Sequence, residues 1–425
     1  MTPFMKYPSL TQEILLPEFP VYPNSIENRK LHQVVSYGMK VCFFSPTAYS
    51  YFRPDLAAWG GGAETQQLLL ARHMRSKGIE VSFIVGDFGQ PPMEVIDGIP
   101  LIRSFTPFKG NRKLRFIPDM IKIRAAMRVA DADIYNQRST AFFTGQLARF
   151  ASDLGKAFTF SLGIDYNCYP DGQGLLPWPM PYLYRYGIGK ADAVIVQTEK
   201  QRRLMLDNFG RETVLIRNGI SIPRDESASG VDTKNPPPTS KSDREATPSP
   251  GFLWVGRFRR TKRPDVMLDL ARALPEIKFT VIGGYAGNER YASAITRALG
   301  GIPNVEHIPF VPPADIEAYY HGAHALINTS SLEGFPNTYL HAWVHGIPVI
   351  ALEIDPDGVL TKNGIGIVAG DLQGLVDAVR RIRANPAMRA EMSRRAARYV
   401  RENHDIRDRG DDYIRLFEDI LRSSR

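Results

Sequence analysis

Short apolar runs, each ending in a glycine-bearing loop and handing over to a helix-period pattern, constrain this chain more than any other feature. Met39-Lys40-Val41-Cys42-Phe43-Phe44-Ser45 leads to Trp59-Gly60-Gly61-Gly62-Ala63-Glu64 and then to a helical pattern through Leu68, Leu69, Ala71 and Met74. Phe252-Leu253-Trp254-Val255 leads to Gly256, and Pro264 then opens a pattern carrying Val266, Leu268 and Leu270. Ala325-Leu326-Ile327-Asn328 leads to Pro336, Tyr339, Leu340 and Trp343. Runs this short and apolar fit strands buried on both faces. Strands alternating with helices build parallel sheets, so the expected class is α/β.

The 425 residues suffice for two or three domains with sizeable cores. Between Arg224 and Pro250 the composition turns to Ser, Thr, Pro, Asp and Lys with almost no large apolar residues, as in a linker or surface loop. The expected division is an extension at 1–38, a first unit at 39–222, a linker at 223–250, a second unit at 251–405 and a terminal helix at 406–425. Tyr413, Leu416, Phe417, Ile420 and Leu421 give that helix its apolar face. The two cysteines, Cys42 and Cys168, make no disulfide framework and fit a reducing, cytoplasmic setting. No signal peptide is read in residues 1–36, and no run of 18 apolar residues offers a membrane span.

Two segments carry chemistry. In Val255-Gly256-Arg257-Phe258-Arg259-Arg260-Thr261-Lys262, Gly256 lets the backbone approach a ligand, Arg257 forks onto phosphate oxygens and Lys262 adds a compact charge. In Ser330-Ser331-Leu332-Glu333-Gly334-Phe335-Pro336-Asn337-Thr338, Pro336 suits the first position of a helix whose amides at Asn337 and Thr338 face an anion. Glu333 is placed to accept hydrogen bonds from sugar hydroxyls. The plainer reading is a strand-to-helix turn with Glu333 as a local cap. The two segments together fit a site for a nucleoside-diphosphate sugar, where charge grows on the departing phosphate.

These residues resemble the retaining glycosyltransferases of the GT-B fold known as family 4, whose signatures are Gly-Arg-x4-Lys and Glu-x7-Glu within Glu-Gly-Phe-Pro-Asn. The resemblance covers about residues 39–423, with Gly61-Gly62-Ala63-Glu64 and Asn218-Gly219-Ile220. It implies two Rossmann-like domains facing a cleft and a C-terminal helix crossing back to the first domain. It implies that Arg257 and Lys262 bind the diphosphate, that Glu333 touches the transferred sugar and that all three serve catalysis. Gly61, Gly62, Gly256, Gly334, Phe335, Pro336, Asn337 and Thr338 fall on donor-binding positions. The second Glu, which holds the ribose in the family, is His341 here. Imidazole bonds a ribose hydroxyl through either nitrogen but lacks a carboxylate's two acceptor oxygens. The histidine common after the family's middle strands is also missing. Arg138 and Asp165 stand at those strand ends, either as contacts for acceptor or sugar or as an ion pair. No metal or other cofactor is expected.

The net charge of +8 is uneven. From 109 to 128, Lys109, Arg112, Lys113, Arg115, Lys122, Arg124 and Arg128 face the single acid Asp119. With Ile117, Met120, Ile121, Ile123 and Met127 interleaved, this reads as a basic amphipathic helix. It suits anionic lipid headgroups, and with them a lipid-linked or envelope-glycan acceptor, or else it is a half-buried helix with a solvated face. No nucleic-acid module is present. Asp131-Ala132-Asp133 and Asp355-Pro356-Asp357 imitate metal-binding Asp-x-Asp without the expected use. Gly283-Gly284-Tyr285-Ala286-Gly287 lacks the dinucleotide spacing. The rival functions are a nucleotide-sugar epimerase on the same fold and a non-catalytic sugar- or partner-binding protein.

Overall fold

A computed structural model of the chain describes residues 38–53, 61–107, 112–139, 143–172, 174, 176, 179–223, 251–285, 289–312 and 315–423, with backbone alone at 112–115 and 289. The expected extension up to residue 37 and the expected linker from residue 224 lie outside the described residues.

The first sheet contains β1 (Lys40–Phe44), β2 (Glu80–Val85), β3 (Met93–Ile96), β4 (Ile99–Arg103), β5 (Ile134–Arg138), β6 (Ala157–Ser161), β7 (Ala193–Val196) and β8 (Val214–Leu215). Its helices are α1 (Tyr49–Phe52), α2 (Gly62–Ser76), α3 (Arg112–Ala130), α4 (Thr144–Asp153), α5 (Met180–Lys190) and α6 (Glu199–Phe209). The strand order is β3-β4-β2-β1-β5-β6-β7-β8, and β3 with β4 is its antiparallel pair. Val41 sits opposite Val81 on one side and Ile134 on the other. Cys42, Phe44, Tyr135, Phe158 and Phe160 fill the core between sheet and helices. Burial pushes the Cys42 thiol up to about 12, which leaves it a small core residue.

The second sheet contains β9 (Phe252–Val255), β10 (Phe279–Ile282), β11 (Val305–Ile308), β12 (Ala325–Asn328), β13 (Val349–Ala351) and β14 (Gly366–Val368). Around it lie α7 (Pro264–Ala273), α8 (Glu289–Gly300), α9 (Glu317–Tyr320), α10 (Asn337–Val344), α11 (Val359–Asn363), α12 (Leu372–Ala384) and α13 (Pro386–His404). Its order, β11-β10-β9-β12-β13-β14, is parallel throughout. The order reverses direction between β9 and β12, and such a switch point opens a crevice beyond the strands' carboxyl ends. The loops after β9 and β12 carry the two chemical segments.

The last helix, α14 (Ile406–Ser423), returns to the first sheet. His73 on α2 meets Asp411 at 2.7 Å, and the Tyr413 hydroxyl lies 3.3 Å from Ser161 Oγ. A Cβ on Gly410 would sit 2.2 Å from the His73 ring, so only glycine permits this approach. The chain crosses between the two sheets twice at one place, where Ile220 forms a parallel bridge with Asp405. His404 at this crossing bonds the Asn218 carbonyl at 2.8 Å, and burial pulls its pKa down to about 3.

Of the apolar residues interleaved along α3, Ile117 and Ile121 are 68% and 65% exposed, while Ile123 and Met127 are buried. Lys109 lies outside the described residues, and only the backbone is described at Arg112, Lys113 and Arg115. Asp355 and Asp357 are both helix caps: Asp355 accepts from the amides of Leu360 and Thr361, and Asp357 from those of Glu199 and Lys200 across the cleft. Asp133 accepts from the Lys40 amide at 2.9 Å just before β5, consistent with a strand-end role.

Candidate active site

The second domain's half of the site is built by stitching two loops together. Thr329 donates to the Lys262 carbonyl at 2.7 Å and accepts from the buried Trp254 indole at 2.9 Å. The Ser331 amide reaches the Thr261 carbonyl at 2.9 Å. Gly256 closes β9 where a Cβ would press at 3.0 Å on the Trp254 ring. Arg263 then turns the chain with φ of 47°, and Pro264 takes the first position of α7.

This stitching places the Lys262 ammonium on Glu333 in a short ion pair, with Ser330 Oγ donating to the same carboxylate oxygen at 2.8 Å. The Glu333 side chain is 11% exposed and that of Lys262 28%. The cap role considered for Glu333 is therefore not adopted, because its carboxylate is engaged by Lys262. Pro336 is the residue before α10, its ψ of 121° too extended for the first helical position expected of it. The helix starts at Asn337, so the amides of Asn337 and Thr338 still head it and have no intrahelical acceptor. The Phe335 ring lies in the core against Trp343 and His404, and only its carbonyl meets a polar partner, Asn218 at 3.2 Å.

The first domain supplies the opposite wall. Gly61 caps α2, and its amide donates to Glu64 at 2.6 Å. A Cβ on Gly61 would stand 3.6 Å from the Arg257 guanidinium, and one on Gly62 2.7 Å from Asn337 Nδ2. Asn337 donates to the Gly62 carbonyl at 2.9 Å, so the glycine loop and the head of α10 touch. Gly334 meets the same wall in a bridge with Ile164.

Arg138 and Asp165 do not pair with each other. Arg138 donates to Asn218 at 2.6 Å, and burial lowers its pKa against the pull of Tyr413 and Glu64. Asp165 holds Lys200 at 2.7 Å and Gln201 at 3.1 Å, and its hydrogen bond raises the Lys200 pKa. His341 stacks on Tyr320 with ring centroids 5.8 Å apart, and its Nδ1 is buried without a hydrogen-bond partner. Burial lowers its pKa, Glu317 raises it and His345 lowers it. Among the described residues, no set of three or more His, Cys, Asp or Glu is arranged to hold a metal ion.

Sequence reasoning passed over Arg259 and Gln66, and it marked Asn218 without giving it a role. Arg259 follows on the same loop; desolvation and the neighbouring Arg257 lower its pKa and Glu64 raises it. Its signal was present in the run of cations Arg257, Arg259, Arg260 and Lys262 on one loop. Gln66 and Asn218 act across the two domains through Asn337, and nothing local in the sequence marks Gln66.

Profiles of known families match both halves. Residues 60–224 match "Glycosyltransferase Family 4" and residues 238–399 match "Glycosyl transferases group 1". The D-inositol 3-phosphate glycosyltransferase of Mycobacterium tuberculosis is 26% identical over 377 residues, covering 80% of this chain and 75% of that protein. Sucrose-phosphate synthase from Thermosynechococcus elongatus shares the fold at a TM-score of 0.72 and 16% identity, over 91% of this chain and 100% of that one. Anabaena HepE in complex with UDP-glucose does so at 0.65 and 16% identity, over 91% and 100%. The fold is thus GT-B, two facing Rossmann-like sheets with a helix returning to the first. The chain belongs to the group 1, family 4 glycosyltransferases and is a transferase of glycosyl groups.

Proposed function

We propose that this enzyme transfers a sugar from a nucleoside-diphosphate donor to an acceptor hydroxyl with retention of anomeric configuration, without a metal ion or other cofactor. One observation carries the reading: Arg257, Lys262, Glu333 and the head of α10 converge beyond β9 and β12 at the switch point. Two cations and a helix N-terminus oppose charge on a leaving diphosphate. With donor bound, the Lys262 ammonium turns to phosphate and frees Glu333 for sugar hydroxyls. The attacking hydroxyl approaches from the leaving-group face and passes its proton to the departing phosphate oxygen. The described HepE complex with UDP-glucose supports a nucleotide-sugar donor. The test is a panel of UDP-, GDP- and ADP-sugars, screened by thermal shift and then by product analysis in the presence of a chelator. The expected product keeps the donor's anomeric configuration at an unreduced rate; an inverted product or chelator-abolished turnover overturns the proposal.

His341 is proposed to contact the nucleoside ribose. His341→Ala is expected to weaken donor binding, and His341→Glu to preserve or improve it. Equal affinity in all three proteins confines His341 to its stack on Tyr320.

The acceptor is proposed to be a lipid-linked or envelope glycan met at an anionic membrane surface. On α3, the outward Ile117 and Ile121 stand among the exposed Lys122 and Arg128, apolar surface beside charge. No described helix is long and apolar enough to cross a membrane, so the contact is peripheral to the described fold. Each well-placed cation adds about 1 kcal/mol of attraction that salt screens. Binding to anionic vesicles at low salt is expected, with loss on Ile117→Asp/Ile121→Asp or on neutralising Arg112, Lys113 and Arg115. Sedimentation without vesicle-bound protein rejects the membrane role.

A further inference from the structure

Gln66 on α2 is 6% exposed, and its carboxamide faces the backbone of Gly219, 153 residues away. Its Oε1 accepts from the Gly219 amide at 2.8 Å, and its Nε2 donates to the Gly219 carbonyl at 2.8 Å. A side chain that both donates and accepts in one plane is required here, and Gln reaches far enough to do it. The same Nε2 lies 3.3 Å from Asn337 Oδ1. Asn337 also accepts from Asn218 at 3.0 Å and gives its own amide to the Gly62 carbonyl at 2.9 Å.

Gly219 stands at the double crossing, where a Cβ would meet Ile406 at 2.6 Å. One side chain thus ties together three things: α2, which begins at the glycine loop; the crossing between the domains; and the first residue of α10. Buried amide networks of this kind hold one arrangement because each broken bond leaves a polar group unsatisfied.

We propose that Gln66 is a positioning residue for glycosyl transfer: it fixes the crossing and, through Asn337, sets the head of α10 against the glycine loop. This rests on the transferase reading only for its kinetic readout. The charged groups proposed to hold the diphosphate, Arg257, Lys262 and the head of α10, belong to the second domain, so Gln66 governs how the walls meet more than how the nucleotide binds.

Gln66→Leu removes every bond, and Gln66→Glu keeps the acceptor for the Gly219 amide while losing both donations. Each is expected to lower kcat about tenfold, since misplacement of facing walls acts on the chemical step. Affinity for UDP, measured by calorimetry, is expected to stay within about threefold. The double variant Gln66→Leu/Asn337→Ala is expected to be no slower than the worse single variant, because the two residues act as one unit. A kcat within about twofold of the parent, additive losses, or a loss matched by weaker UDP binding overturns the proposal. Small-angle scattering of the full chain separates this from failure of the transferase reading. Gln66→Leu, or Gln66→Met if the first does not fold, is expected to broaden the distance distribution between domains with no ligand present. An unchanged distribution rejects the positioning role even if sugar transfer is intact.

Discussion

Lys262→Ala is expected to lower turnover by about 10²-fold or more, and Arg257→Ala by a comparable but smaller factor. Both cations oppose charge that grows as the diphosphate departs, so their effect falls on kcat more than on donor affinity. Lys262 has the larger expected loss because it is also the ionic partner of Glu333. Without it, a carboxylate with an 11% exposed side chain keeps only the Ser330 hydroxyl among these contacts. With one contact in place of two it is held less firmly in the orientation that accepts from sugar hydroxyls. Glu333→Gln should then add little to Lys262→Ala, although alone it impairs sugar positioning more than nucleotide binding. Steady-state kinetics with calorimetry of the free nucleoside diphosphate reads all four proteins. Near-normal turnover in both alanine variants would move the phosphate site elsewhere.

The second large effect comes from a methyl group. Gly334→Ala places a Cβ 2.7 Å from the Gly163 carbonyl, 2.8 Å from Gln201 Nε2 and 3.2 Å from Ile164 Cα. Two of these three neighbours are backbone of the opposite domain, which cannot rotate aside as a side-chain tip does. The walls must separate by a fraction of an ångström to an ångström, enough to cost about 10²-fold in a reaction that depends on alignment. Nucleoside diphosphate binding should change little, since Arg257, Lys262 and α10 lie on one domain. A kcat within threefold of the parent would show that the Ile164–Gly334 bridge is not held during catalysis. The split between kcat and affinity distinguishes this lesion from Lys262→Ala, which also removes a charge the nucleotide meets.

The strands were legible because their apolar runs are self-contained. β9 and β12 occupy the residues that hydrophobicity alone marked, and Pro264 opens α7 where its fixed φ suits it. Pro336 was misplaced by one residue because its ring fixes φ and leaves ψ open, and ψ here is extended. On α3 the apolar residues were legible but not their division into the outward Ile117 and Ile121 and the buried Ile123 and Met127, since periodicity does not say which side the core takes. Asp355-Pro356-Asp357 imitates a metal site in one dimension; in three, each carboxylate has a helix terminus to satisfy, one of them on the other domain. For the site, residue types on the two loops were readable from the chemistry a diphosphate needs. The Lys262–Glu333 pair, 71 residues apart, and the Gln66–Gly219 pair, 153 apart, were not readable, because only tertiary folding brings them together.

The return of α14 has a consequence for how the protein is made. Residues 406–423 complete the first domain, covering α2 at His73 and reaching Ser161 at the end of β6, yet they are synthesised only after the whole second domain. The second domain is therefore an uninterrupted stretch inserted into the sequence of the first. As synthesis proceeds from the N-terminus, the domain begun earliest is finished latest, and the inserted one can close its sheet while the other still waits with that side of α2 uncovered. A message cut short before residue 406 would yield a second domain with its strands intact and a first domain missing its final layer. Quality control acting on exposed apolar surface would meet that product along the side of α2 that α14 covers in the finished protein.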